Sequence, residues 1–90
     1  MVQVQNGTAV PGLALRATQY LEDNGYRLLA PSNGPGGVQR TTVTYFQPAA
    51  RSVAYSVASL MHATVIASNR PVSGNANVVV LLGKDAANRY

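Results

Sequence analysis

VQVQNGTAVPGLALRATQYLEDNGY, residues 2–26, reads as a strand, a glycine-containing turn and an amphipathic helix. Val2 and Val4 alternate with Gln3 and Gln5, the period of a strand with one buried face. Asn6-Gly7 breaks that alternation. Pro11 lacks the N–H that a first helical turn leaves unpaired, so it fits a helix start. Leu13, Ala14, Ala17 and Leu21 then recur at helical spacing, with Arg16, Gln19, Glu22 and Asp23 off that face. Gly25 can take the positive φ of a helix stop, and Tyr26 beyond it can fold back on the last turn. Residues 27–30, RLLA, begin a short second strand. Strand, helix and strand in so few residues predict a parallel pair with a right-handed crossover.

Downstream, residues 31–37 (PSNGPGG) read as a loop, rich in the residues that break periodic structure. Residues 40–46 (RTTVTYF) are β-branched and aromatic, the strongest local strand. Pro48 ends that strand and opens a second helix, where Ala50, Val53, Ala54, Val57, Leu60 and Met61 form the apolar stripe. Residues 64–67 make a short fourth strand, and 69–77 a polar, glycine-containing loop. Residues 78–82 (VVVLL) are apolar throughout, as in a central strand or one covered on both faces. Gly83-Lys84-Asp85 ends it, and the last five residues are expected to fray. The order is β-α-β-β-α-β-β: an α/β fold with a mixed sheet of about five strands and two helices. The all-apolar last strand favours helices on both sheet faces, whereas the alternation of the first favours one.

Ninety residues make one domain, 1–90, with a structured core over about 2–85. Only 11% of the residues are charged and 47% are hydrophobic, which excludes a disordered chain. No apolar run is long enough to span a membrane, and no basic start leads into an apolar signal segment. A start at Met1 almost directly in a strand suits a whole small protein or a domain cut from a longer one. Without cysteine there is neither a disulfide nor a thiolate metal site. The net charge of +4 favours polyanionic partners, although the basic residues are scattered along the chain.

Catalysis has little to work with. One histidine and three acids do not make a metal site, and no cofactor motif is present. Glu22 and Asp23 are adjacent on a helix and cannot face each other across a substrate. Ser59 and His62 are close enough to meet, but no acid is placed to orient the imidazole. The chain is therefore read as a non-enzyme without metal or cofactor. The strand–Asn6-Gly7-Thr8–helix junction could offer backbone N–H groups to an anion. It also reads as a plain turn with Thr8 as a cap. Tyr45-Phe46 with Arg40 has the strand order of an RNA-binding sheet but not its Gly-aromatic centre. Phe46 is expected in the core. Lys84 stands where α/β folds often bind ligands, at the C-terminal end of a strand.

Residues 2–26, together with NVVVLLGKD at 77–85, resemble the opening and the closing strand of the LytR C-terminal domain family. Residues 40–61 sit between them as that family's middle strand and helix do, so the resemblance covers nearly the whole chain. Residues 63–77 depart from the family pattern in lacking acidic residues. The resemblance implies an extracytoplasmic bacterial module, commonly actinobacterial, held outside the membrane by an upstream helix. It further implies an accessory domain, often beside a LytR–CpsA–Psr enzyme, with no catalytic residues of its own.

The expected function is thus a non-catalytic envelope module that binds peptidoglycan or an anionic wall glycopolymer and supports wall assembly. Asn6, Gly7, Thr8 and Gly12 would form the binding turn, Lys84 would add charge, and Tyr45 would stack on a sugar. The alternative is a scaffolding domain that docks on a membrane-anchored envelope enzyme, such as a LytR–CpsA–Psr protein. Nucleic acid is not expected as a partner, and the membrane is expected only through the upstream anchor.

Overall fold

The computed structural model describes residues 1–68 and 76–90. Its elements are β1 (Val2–Asn6), α1 (Leu13–Asp23), β2 (Ser32–Asn33), β3 (Thr42–Tyr45), α2 (Arg51–Met61), β4 (Thr64–Ala67) and β5 (Val78–Leu82). A 3-10 turn at Pro48–Ala50 leads into α2, and another at Lys84–Ala86 follows β5. The order is the one predicted, and the five strands form one mixed sheet, β2-β1-β5-β3-β4. β5 runs parallel to β1 and antiparallel to β3, while β1–β2 and β3–β4 are parallel pairs. Most of the polar loop expected after β4, residues 69–75, lies outside the described residues.

Both helices cover the same face of the sheet. Val4 pairs with Val80 and Val80 with Val43, all fully buried, and one cluster joins them to Leu13, Ala17 and Leu21 of α1 and Ala54, Val57 and Met61 of α2. The reason lies in strand direction. β3 runs opposite to β1, and each β-α-β unit adds its parallel partner towards its own outer edge. Two right-handed crossovers so arranged put both helices on one side. The buried–intermediate alternation of β5 matches that of β1, so its apolar run is not covered on both faces. Val79 and Leu81 share the other face with Gln3, Gln5, Thr42 and Thr44.

α1 stops as the sequence predicts. Gly25 takes φ 91°, its N–H donates to Glu22, and the Tyr26 N–H donates to Leu21. This pair of bonds satisfies carbonyls that the helix end leaves free. α2 ends on a residue less suited to the task, His62 at φ 56°.

Three expectations are corrected. The second strand is not residues 27–30 but Ser32–Asn33, inside the predicted loop. Leu28 makes a single bridge to Val2, and the register slips by one residue before Gln5 pairs with Ser32. Pro31 has no N–H for the ladder, and the Gln3 amide reaches across to the Ala30 carbonyl at 3.3 Å instead. Phe46 is only half-buried, and Tyr45 packs against the core. Alternation decides this, because Tyr45 shares the helix-covered face with buried Val43. The last residues do not fray: Ala86 is buried, Arg89 donates to the Met61 carbonyl, and Tyr90 packs on Tyr20 with ring centres 5.2 Å apart.

Candidate functional site

The C-terminal ends of β1 and β5 meet beside the start of α1, where Asn6 pairs with Leu82. The Asn6 amide organises the turn there. Its Oδ1 accepts from the Thr8 N–H at 2.9 Å and the Thr8 hydroxyl at 2.6 Å, and its Nδ2 donates to the Val10 carbonyl at 2.8 Å. Thr8 Oγ1 in turn accepts from the Val10 N–H at 3.1 Å. Such side-chain turns replace the ladder bonds that a chain loses when it leaves a sheet. Gly7 donates to the Leu82 carbonyl and accepts from Val38. A Cβ at Gly7 would stand 2.6 Å from the Leu82 oxygen and from Val38 Cγ2, so only glycine fits.

Gly12, at φ 75°, turns the chain into α1, and no side chain caps the first turn. Beside it opens a shallow concavity of about 200 Å3 lined by Asn6, Gly12, Ala14, Leu15, Pro31, Ser32 and Asn33. β2 therefore supplies one wall, which the sequence reading missed because it placed Ser32 and Asn33 in a loop. Backbone N–H groups at an uncapped helix start next to asparagine and serine suit an anion or sugar hydroxyls.

Of the predicted site residues, Asn6 and Gly12 line this concavity and Gly7 and Thr8 do not. Lys84 stands at the same end of the sheet, its backbone N–H donating to the Val38 carbonyl at 2.9 Å and its side chain exposed, but it does not line the concavity. Tyr45 lies elsewhere. It pairs with Val78 at the opposite end of β5 from Leu82, four residues or ~13 Å along the strand. There it comes near Arg51, which stacks on Tyr55; both residues are missing from the sequence prediction. Their i, i+4 spacing was the available signal. Asp85 is taken up by structure, its carboxylate accepting from the Thr41 N–H and hydroxyl. Ser59 and His62 line a separate open trough with Asn24, Tyr26, Ser56 and Leu60. Among the described residues no group of three histidines, aspartates or glutamates comes together as a metal site.

The family model described as LytR cell envelope-related transcriptional attenuator, LytR_C, matches residues 1–85. The chain belongs to the LytR_C family. Its fold is similar to that of the soluble domain of a conserved hypothetical secreted protein from Mycobacterium marinum, an Rv2700 ortholog, with a TM-score of 0.72 at 21% identity. That likeness covers 93% of this chain and 58% of the other, so the LytR_C domain spans little more than half of that soluble domain. The C-terminal domain of RV0431 is also similar, with a TM-score of 0.59 at 25% identity over 91% of this chain and 70% of that one. No curated protein matches the chain. LytR_C is an accessory family rather than a known catalytic one. No helix among the described residues is long and apolar enough to cross a membrane.

Proposed function

We propose that this LytR_C domain acts outside the cytoplasmic membrane as a non-catalytic envelope module that binds an anionic wall glycopolymer or peptidoglycan. The observation that carries the polymer half of this reading is an unneutralised basic surface. Arg16, Arg27, Arg40, Arg51, Lys84 and Arg89 are all exposed. Among the described residues none of them is paired with an aspartate or glutamate. Exposed cations without counter-charges raise the local concentration of a polyanion and speed its capture. Support for an extracytoplasmic location comes from the family and from the secreted protein whose soluble domain the fold resembles. The concavity beside Gly12 is the place for sugar hydroxyls or a phosphate, with Lys84 contributing charge from the same end of the sheet.

Co-sedimentation with insoluble peptidoglycan, with and without its attached glycopolymer and over a salt series, tests the reading. Retention that needs the attached polymer and falls as salt rises is the expected result. Retention on bare peptidoglycan that survives salt would place recognition on the glycan itself. The absence of retention in both forms would refute wall binding.

A second reading, docking on an envelope protein such as a LytR–CpsA–Psr enzyme, is favoured by β4. Among the described residues this edge strand leaves Ile66 44% exposed and one side of its ladder unpaired, a surface on which a partner strand can add.

A further inference from the structure

Arg51 and Tyr55 lie one turn apart on α2, and the guanidinium carbon stands 5.2 Å from the centre of the Tyr55 ring. That is stacking distance for a cation over an aromatic face. Tyr45 approaches the same guanidinium from the end of β3. The nearness of Tyr55 first, and then of Tyr45, holds Arg51 above its ordinary pKa. Arg51 is exposed and Tyr55 is 51% exposed. With Pro48 and Ser52 they line an open trough of about 470 Å3. Neither the 3-10 turn nor the first turn of α2 carries an acidic residue or a side-chain cap, so the helix start adds positive potential there.

An i, i+4 pair by itself would only steady the helix. It would not call for a second tyrosine from another element, nor for a surface free of counter-charge. A tyrosine ring offers a flat apolar face to the C–H side of a pyranose. An arginine stacked on that ring keeps its edge N–H groups free to fork onto phosphate oxygens. The geometry points to the Arg51–Tyr55 trough as a binding site for a sugar ring with an adjacent phosphate, separate from the concavity at α1. This assignment rests on the reading of the domain as a wall-polymer binder and gives that reading a second address.

Titration of the domain with glucose-1-phosphate, methyl glucoside and inorganic phosphate, followed by NMR, tests the site. The sugar phosphate is expected to move the ring signals of Tyr55 and the Nε–H of Arg51. It should bind roughly tenfold more tightly than either simpler probe. Tyr55→Ala and Arg51→Ala should each lose about that factor, while Tyr55→Phe retains the affinity. Both positions are exposed, and an otherwise unchanged spectrum confirms that the variants fold. Equal binding of phosphate and sugar phosphate, or unchanged affinity in Tyr55→Ala, would overturn the assignment. Co-sedimentation separates the two claims. If Tyr55→Ala is retained on wall polymer as well as the parent domain, the site is wrong and the wall reading stands. If the sugar phosphate binds at Tyr55 but the domain is not retained, the site stands and the wall reading fails.

Discussion

Thr41 donates twice to Asp85, from its backbone N–H at 3.0 Å and from its hydroxyl at 2.6 Å. The same hydroxyl accepts from the Gly83 N–H at 3.1 Å. One buried threonine thus ties the entry of β3 to the turn that follows β5. Thr41→Val keeps the shape and removes the hydroxyl, leaving the Gly83 N–H without its partner and the carboxylate with one bond fewer. A loss of ~1–3 kcal/mol in urea denaturation is expected, the cost of a buried polar group left unsatisfied. A loss within error would mean that water enters and replaces the hydroxyl.

Asn6 is a different matter from a ligand contact, because its amide already serves Thr8 and Val10. Asn6→Ala should lower stability by about 1–3 kcal/mol through the same mechanism. Any loss of wall retention in this variant should therefore track its unfolded fraction. Retention lost while the denaturation midpoint stays put would instead make Asn6 a direct contact.

His62 closes α2 at φ 56° and ψ 46°, a conformation that a Cβ disfavours. His62→Gly removes that strain but adds freedom to the unfolded chain. The net expectation is a gain of about 0.5–1 kcal/mol, read as a melting temperature a few degrees higher. A lower melting temperature would show that the imidazole contributes more than its backbone costs.

Burial pushes the Tyr90 phenol above its ordinary value of 10.0, with Tyr20 and Asp85 adding to the effect and the Arg89 charge opposing it. A raised phenol favours the neutral form in the folded state. Its contribution to stability is complete below about pH 10 and is lost as the pH climbs through the raised value. Tyr90→Phe keeps the ring against Tyr20 and cannot ionise, so its stability should fall less steeply above about pH 10. Denaturation curves at neutral and alkaline pH measure this; parallel declines would place the Tyr90 hydroxyl in water.

Elements whose signal is local were legible in the residues alone. Alternating valines marked β1, the spacing of Leu13, Ala17 and Leu21 with the Asn24-Gly25 stop marked α1, and residues 64–67 and 78–82 were read as β4 and β5 with the observed bounds. Asn6 and Gly12 were legible as site candidates because a strand-to-helix junction announces itself in composition. Tertiary structure alone decided what depends on direction and register. Ser32 and Asn33 look like loop residues until β1 offers them a ladder, and Val79 and Leu81 look covered until both crossovers choose the same face. Gly83 reads as a strand stop, yet a side chain there would strike the backbone of Arg40, a neighbour more than forty residues away in the chain. Tyr45, Arg51 and Tyr55 form one cluster only because β3 ends where α2 begins. Periodicity reports which face of an element is apolar, whereas the partner that covers the face is set by contacts between distant residues.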